Sequence, residues 1–520
     1  MTTLVPRKPY TDEELRQLYP ADLELQLVQV LMRHGERTPV SPRFQHAGLH
    51  PFWPYCSAVS QFRTAVLEDD MDPGVAGVGA GGGSAATKPL GTMAWKRRLE
   101  TFAKDDDTAV LGRGNRGELD ALCDMGMLTD PGRATTLRLG QRLRRLYVDQ
   151  LHFLPAELKA DDADRLFYLR ATPIPRALES MQQAFAGLYP GRDVSGGAPV
   201  TIVSRAPADE TLFPNDGNCR RFAALSRAFA QRAAERWNDS EELRHATKKI
   251  GKWMDPDAPR VAVDGRPRLS GVMDTINATL AHGPETRLPA EFYDERVRRN
   301  IEKVALEEWF AGYHESLEYR TLGIGGLMGD LTANMVAQAE TAGTSGQNGH
   351  FRFGLSGCHD TTLAAVLSSL GHKMPAWPPF TSHLALEMFK KPASDASPTA
   401  PPPPPPPSSS TGWSAYLPSL FSSKPAATTT GIGRKPTPDL TETEKHKMAG
   451  YYVRIRYNDE VITVPGCRPA GKHLDGDESF CTLEAFKAIV DKYTPKKWKN
   501  ECRSNLDKPA FPTKLEPSGY

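Results

Sequence analysis

The stretch LVQVLMRHGERTP at residues 27–39 decides the fold, because an apolar run ends abruptly there in a polar loop. Residues 25–32, LQLVQVLM, are rich in apolar and β-branched side chains and stop at Arg33. Such continuous runs are typical of strands that are buried on both faces of a parallel sheet. The sequence therefore predicts a central strand followed by a functional loop.

Further strands are predicted at 166–169, 201–204 and 351–355, with a helix after the first and the last of them. An amphipathic helix is predicted between residues 129 and 151, because its apolar residues recur at helical spacing. Strands that alternate with helices indicate an α/β architecture. Residues 383–389 and 451–457 read as the two strands of a hairpin. Residues 215–334 have a mainly helical pattern, which predicts a smaller lobe inserted in the α/β core.

Composition limits the function classes. The 520 residues include 64 Lys+Arg and 63 Asp+Glu, which leaves a formal charge of +1. No apolar run approaches the roughly 20 residues that a membrane helix needs. We therefore expect neither a nucleic-acid partner nor a membrane span. The seven cysteines contain no CxxC pair and suggest no zinc site, and buried free thiols are their simplest interpretation.

The prolines and glycines are concentrated in two segments. Residues 392–438 hold 13 of the 44 prolines, and a disordered Pro/Ser/Thr-rich insertion is predicted over 392–449. A Gly-rich loop is predicted at 69–91, which holds seven of the 43 glycines. The run of prolines that begins at Pro401 and ends at Pro407 could form a polyproline II ligand for an SH3 or WW domain. A neutral spacer is the alternative interpretation.

The loop after the first strand carries the residues for phosphate chemistry. Arg33 and Arg37 flank His34, and planar guanidinium groups suit phosphate oxygens. A neutral imidazole between them can attack phosphorus as a nucleophile. Gly35 lets the backbone turn closely around the site. A surface loop that is basic by chance is the alternative.

Two more polar runs follow predicted strands. RATPIPR at 170–176 brings Arg170 to the end of a strand, whereas Arg176 could simply form a salt bridge with Glu179 on a helix surface. SGCHD at 356–360 places His359 to bind phosphate and Asp360 to act as a general acid, unless Asp360 is only a helix cap. The informative observation is that all three runs occupy strand-to-helix junctions.

RHGERTP, RATPIPR and SGCHD together resemble the signature elements of the histidine acid phosphatase family. The likeness extends through GMLTDPG, LFPN, KMPAWPPF and VITVPGC to the subgroup of lysophosphatidic acid phosphatases. The resemblance implies a phosphoglycerate mutase-like three-layer α/β/α core with a helical lobe, in a single domain that spans the chain. It also implies an acid phosphatase that needs no cofactor or metal.

The resemblance assigns a role to each site residue. His34 would become a phosphohistidine and Asp360 would protonate the departing alcohol. The phosphoryl oxygens would be held by four residues, namely Arg33, Arg37, Arg170 and His359. Because Asp360 must be protonated, we expect an acidic pH optimum.

Several expectations stay open at this level. Lysophosphatidic acid leads as the substrate, and phytate, other sugar or inositol phosphates and phosphoproteins are alternatives. A catalytically silent scaffold with a polyproline ligand is the alternative from another class. Pairings of Cys219 with Cys502 and of Cys467 with Cys481 are implied by the family. Because the first residues lack the apolar segment of a secretory signal, we expect a cytoplasmic location, with a mitochondrial one as the alternative.

Overall fold

The structure is a computed structural model that describes most of the chain. The described residues are 8–58, 62–66, 91–95, 100–103, 105–112, 122–159, 162–191, 200–341, 351–392 and 431–520. The polyproline run and nearly all of the predicted Gly-rich loop lie outside them, and both remain predictions.

A mixed nine-stranded sheet forms the centre of the fold. The strands of the chain are β1 (Glu24–Arg33), β2 (Phe62–Val66), β3 (Gly91–Trp95), β4 (Glu100–Phe102), β5 (Ala109–Leu111), β6 (Phe167–Ala171), β7 (Ile202–Val203), β8 (Phe353–Cys358), β9 (His383–Lys390), β10 (Tyr451–Tyr457), β11 (Glu460–Ile462), β12 (His473–Leu474) and β13 (Asp477–Thr482). The sheet order is β12-β13-β10-β9-β1-β8-β6-β7, and β11 pairs with β10. Strands β2–β3 and β4–β5 form two separate two-stranded sheets.

The predicted strands are consecutive in this sheet, from β10 to the edge strand β7. Strands β1, β8, β6 and β7 are parallel neighbours, whereas β9 pairs antiparallel with β1. The predicted hairpin is confirmed, because β10 pairs antiparallel with β9. The α/β prediction is therefore confirmed, and the parallel strands send their carboxyl ends to one edge of the sheet.

Helices cover both faces of the sheet. They are α1 (Asp12–Leu18), α2 (Asp130–Arg144), α3 (Ala163–Leu166), α4 (Pro175–Leu188), α5 (Arg220–Trp237), α6 (Glu241–Ile250), α7 (Leu269–Leu280), α8 (Glu295–Glu315), α9 (Leu317–Arg320), α10 (Gly326–Thr341), α11 (Asp360–Ser369), α12 (Glu442–His446), α13 (Leu483–Asp491) and α14 (Trp498–Glu501). Along β1, Val28 and Val30 belong to a core with α2 and α4, while Leu27 and Leu31 belong to a core with α10 and α11. This alternation produces the expected three layers.

The lobe predicted at 215–334 is helical, and it contains α5 to α9. Its predicted end falls inside α10, which continues to Thr341. Leu331 and Val336 of α10 are buried in the same core as Leu27 of β1. The sequence pattern missed this boundary because one continuous helix leaves the lobe and packs on the sheet.

The predicted insertion 392–449 is too long, because residues 431–449 are folded. Helix α12 has a capping box at Thr441. Thr437 donates its backbone N–H to Asp491 of α13 at 2.8 Å, and buried Lys487 donates to the Lys435 carbonyl at 2.7 Å. The polar composition suggested disorder, but these contacts with α13 supply the stabilising partners.

Six cysteines form disulfide bonds, which corrects the interpretation as free thiols. The implied pairs Cys219–Cys502 and Cys467–Cys481 are both present. A third bond, Cys56–Cys123, was not anticipated, and Cys358 is a buried free cysteine. Within the part of the chain that the structure describes, no helix has both the length and the apolarity to cross a membrane.

Candidate active site

The site lies where three parallel strands end. Arg33, the last residue of β1, is in register with Cys358, the last residue of β8. Ala171 at the end of β6 is in register with Gly357. The three polar runs therefore leave the sheet side by side, as their strand-to-helix positions predicted.

Two glycines bring the first loop against helix α2. A Cβ on Gly35 would overlap the backbone of Gly132, and a Cβ on Gly132 would overlap the backbone of Glu36. Gly35 also donates its N–H to Ser180 Oγ of α4 at 3.0 Å. The sequence led us to expect a close turn of the backbone around the site, whereas the close approach at Gly35 is to the backbone of Gly132, and it fixes the loop against α2 and α4.

His34 is poised as a neutral nucleophile. Its side chain is 2% exposed, and Nδ1 lies 2.9 Å from the carbonyl oxygen of Gly35. Because a carbonyl oxygen can only accept, Nδ1 carries the proton and Nε2 keeps a lone pair. Burial and then the positive charge of Arg176 hold the pKa of His34 well below its usual range. The imidazole therefore stays neutral to a lower pH than an ordinary histidine does.

Arg33 and Arg37 are both buried beside His34, as predicted. Arg33 Nη1 donates to the Pro378 carbonyl at 2.5 Å, and Nη2 contacts Asp360 Oδ2 at 2.8 Å. Its guanidinium carbon lies 4.1 Å from the centroid of the Phe380 ring. Such packing holds a planar cation in place while its donors remain directed along the edge of the plane.

The helical lobe reaches into the site through Asp274 of α7. Arg37 Nη2 contacts Asp274 Oδ1 at 2.8 Å, and Arg43 Nη1 contacts the other oxygen at 3.4 Å. Sequence reasoning missed Asp274, because an acidic residue in a helical segment far along the chain gives no signal of this pairing.

Arg176 lies close to Arg37 and His34, although a surface salt bridge with Glu179 was the simple interpretation of its sequence position. Among the residues that the structure describes, none forms an ion pair or hydrogen bond with its guanidinium, and Nε is buried. Glu179 instead accepts from Arg133 Nε at 2.5 Å. Burial and then repulsion from Arg37 lower the pKa of Arg176 to about 10. Arg176 is the charged residue with the largest effect on the pKa of His34.

Arg170 is engaged elsewhere, and its geometry gives the predicted phosphate contact no support. Its Nη2 donates to Glu210 Oε1 at 2.5 Å and to Thr211 Oγ1 at 3.1 Å. Both side chains of the Arg170–Glu210 pair are almost fully buried. The contacts of Arg170 are with Glu210 and Thr211, whereas the charge of Arg176 acts on both His34 and His359, so the geometry favours Arg176 over Arg170 as the third guanidinium of the site.

His359 and Asp360 lie at the same edge of the sheet, next to His34 and Arg33 respectively. The ring centroids of His34 and His359 are 5.6 Å apart, and Thr172 Oγ1 lies 3.1 Å from His359 Nε2. Burial and then the charge of Arg176 lower the pKa of His359. Burial pushes the pKa of Asp360 upward, but the Arg33 guanidinium, the Trp377 N–H and the charge of Arg37 together hold that pKa below its ordinary range.

The arrangement suits a tetrahedral dianion. Three guanidiniums, of Arg33, Arg37 and Arg176, act on a histidine with a free lone pair, and Asp360 contacts the first of them. Phosphoryl transfer needs such positioning and charge stabilisation above all. Within the described residues, no group of three or more His, Cys, Asp or Glu side chains is arranged to hold a metal ion.

Comparison with protein families agrees with this geometry. The family model described as histidine phosphatase superfamily (branch 2) matches residues 24–402. A probable acid phosphatase of Schizosaccharomyces pombe (strain 972 / ATCC 24843) is 34% identical over 488 residues, which cover 93% of this chain and 95% of that protein.

Some curated relatives with lower sequence identity carry names other than probable acid phosphatase. Counting factor 60 of Dictyostelium discoideum is 26% identical over 71% of this chain and 77% of that protein. Lysophosphatidic acid phosphatase type 6 of Homo sapiens is 24% identical over 71% of this chain and 74% of that protein. Among solved structures, the phytase of Klebsiella sp ASR1 aligns with 92% of this chain and 98% of its own at 14% identity and a TM-score of 0.47.

Proposed function

Because the chain belongs to the histidine phosphatase superfamily (branch 2) and is an acid phosphatase, we propose that it hydrolyses phosphate monoesters through a phosphohistidine at His34. The observation that carries this mechanism is the lone pair on His34 Nε2, which the Gly35 carbonyl enforces by binding Nδ1–H. Arg33, Arg37 and Arg176 hold the phosphoryl oxygens and stabilise their charge during transfer.

The reaction has two steps in this proposal. His34 Nε2 forms a bond to phosphorus while the ester oxygen leaves and takes the proton of Asp360. Water then attacks the phosphohistidine, Asp360 takes up a proton from that water, and His34 is released together with phosphate.

Acidic solution favours this chemistry for two reasons. His34 stays neutral because its pKa is lowered, so the nucleophile survives at low pH. Asp360 must be protonated, and the negative charge of a bound phosphate raises the pKa of a neighbouring carboxyl. Substrate binding thus counteracts the arginines that hold the pKa of Asp360 down in the free enzyme.

The test compares phosphate release from p-nitrophenyl phosphate at acid pH for the wild type and His34→Ala. We expect the variant to lose roughly 10³-fold or more in kcat with an unchanged thermal midpoint. Arg232→Ala, which changes an Arg–Glu315 pair on the lobe, is the control for expression and folding. Equal rates for wild type and His34→Ala would refute the nucleophile.

For the substrate, we propose lysophosphatidic acid, supported by the human relative that carries this name. A competition assay in which lysophosphatidic acid and phytate are offered together separates the alternatives. Faster release from lysophosphatidic acid supports the proposal, and faster release from phytate favours the inositol phosphate alternative. No release from any monoester would favour the scaffold that binds an SH3 or WW domain through the prolines from Pro401 to Pro407.

The cytoplasmic location stays a prediction, and the three disulfide bonds argue against it. Disulfides persist mainly in oxidising compartments, while the cytosol keeps thiols reduced. The test counts free thiols in protein isolated from its own cells under acid quench. Seven free thiols would support the cytoplasmic location, and a single free thiol would support an oxidising compartment.

A further inference from the structure

The segment KMPAWPPF at 373–380 touches the reacting groups at three points. The carbonyl of Pro378 accepts from Arg33 Nη1, and the Phe380 ring packs under the same guanidinium. Trp377 donates its indole N–H to Asp360 Oδ2 at 2.9 Å. The mechanism above uses Arg33 and Asp360 and assigns nothing to Trp377.

Two donors converge on a single oxygen of Asp360. Oδ2 accepts from Trp377 Nε1 and from Arg33 Nη2, which lies 2.8 Å away. Oδ1 accepts the backbone N–H of Thr361 at 2.8 Å. Since two N–H groups already occupy Oδ2, the proton of the neutral acid belongs on Oδ1. The carboxyl group is thereby fixed in one rotation.

Trp377 is held in place independently of Asp360. Its backbone N–H donates to Glu302 Oε1 of α8 at 2.8 Å. Its ring packs against Phe310 with centroids 5.1 Å apart and meets the edge of Trp309 at 6.1 Å. The side chain is only 6% exposed. Because the lobe holds the Trp377 ring in place, its indole N–H can orient the Asp360 carboxyl without moving with it.

The other groups around Asp360 are charged or titratable, and they come from every side. Arg33 lies on β1, Arg37 in the following loop, Arg176 on α4 and His359 directly before Asp360 in the chain. Glu302 stands behind Trp377 on α8. The indole of Trp377 is a neutral side-chain donor, so its removal changes hydrogen bonding to Asp360 without changing the charge of the site.

We propose that Trp377 is a positioning residue that fixes the general acid Asp360 and sets the upper pH limit of catalysis. This inference rests on the proposed function, in which Asp360 protonates the leaving oxygen. A donor to the carboxylate favours its ionised form. Without that donor the acid keeps its proton to higher pH, but its carboxyl group is free to rotate away from the leaving oxygen.

The test is Trp377→Phe, which removes the N–H and keeps an aromatic ring. We expect the alkaline limb of the kcat/KM profile to move upward by about half to one pH unit. At the optimum, kcat should fall roughly tenfold for an alkyl phosphate such as glycerol 2-phosphate and much less for p-nitrophenyl phosphate. The phenolate leaves readily, so it depends less on a proton.

Trp309→Phe is the matched control, because it makes the same substitution in a ring that contacts Trp377 and has no bond to Asp360. It should keep the wild-type profile. Should Trp377→Phe fail to fold, as judged by its thermal midpoint, Trp377→Met replaces it, because it also removes the N–H without adding a charge, and the same upward movement is expected. An unmoved limb in the folded Trp377 variant, or a moved one in Trp309→Phe, would overturn the proposal.

Asp360→Asn separates this proposal from the function on which it rests. This variant should lose most activity on glycerol 2-phosphate, and adding Trp377→Phe to it should cause no further change in the ratio between the two substrates. If Asp360→Asn keeps wild-type activity on the alkyl phosphate, the general acid is wrong. If Asp360→Asn is inactive but Trp377→Phe matches the wild type at every pH, only the role of Trp377 is wrong.

Discussion

Arg170 and Arg176 stand six positions apart in one short run, yet they serve different parts of the molecule. Arg170 lies on strand β6 and bonds to Glu210, which is fully buried. Arg176 is the second residue of helix α4 and lies beside His34 without a carboxylate partner among the described residues. One arginine neutralises a buried charge, and the other leaves its own charge available to a ligand.

The Arg170–Glu210 pair supports the site from behind. Glu210 Oε1 also accepts the backbone N–H groups of Thr211 and Leu212, at 2.8 and 2.7 Å. The same loop continues to Phe213, whose ring centroid lies 6.0 Å from that of His359. Arg170 thus holds a wall of the site, whereas Arg176 faces its interior.

Removing Arg170 should cause the largest change, and it should be a change in stability. Arg170→Ala leaves Glu210 buried and uncompensated, which costs about 3–5 kcal/mol in the free energy of unfolding. Urea unfolding of the purified variant and of the wild type measures this loss in the free energy of unfolding. Arg205→Ala, which removes a partly exposed partner of Asp330, should cost about 1 kcal/mol or less. Equal costs for both variants would remove the distinction between the two arginines.

Removing Arg176 should instead affect catalysis. Arg176→Ala should lower kcat/KM for p-nitrophenyl phosphate by roughly 10²-fold, because a transition-state donor is lost. Its free energy of unfolding should stay within about 1 kcal/mol of the wild type, since the part of the chain that the structure describes offers no carboxylate paired with this guanidinium. A stable variant with wild-type kcat/KM would place Arg176 outside the site.

The two arginines also show how much of the site could be predicted from the sequence. The run after β1 and the HD pair were predictable, because buried strands that end in polar loops meet at one edge of a parallel sheet. The choice between Arg170 and Arg176 was not. It depends on which side chains lie behind β6 and on Glu179 binding Arg133, and both are contacts between segments distant in the chain. The contacts of Asp274 and Trp377 with the site could not be predicted from the sequence for the same reason.

A smaller effect should appear in the pH dependence. Burial and then the charge of Arg176 lower the pKa of His34, so we expect the acid limb of kcat/KM below the usual histidine range. Arg176→Gln removes that charge, the pKa of His34 rises, and the acid limb should move upward by about half a pH unit. Arg232→Gln, at a distant pair with Glu315, should leave the limb in place. A downward movement in Arg176→Gln would contradict the electrostatic argument.

The central claim is that His34 carries the phosphoryl group. Wild-type protein and Asp360→Asn are mixed with p-nitrophenyl phosphate at acid pH, quenched in alkali, where phosphohistidine is stable, and digested for mass spectrometry. We expect a phosphate adduct on His34, with a larger yield in Asp360→Asn, because p-nitrophenolate leaves without a proton whereas the attacking water needs the base. A phosphate adduct on another residue, or none at any time in either active protein, would contradict it.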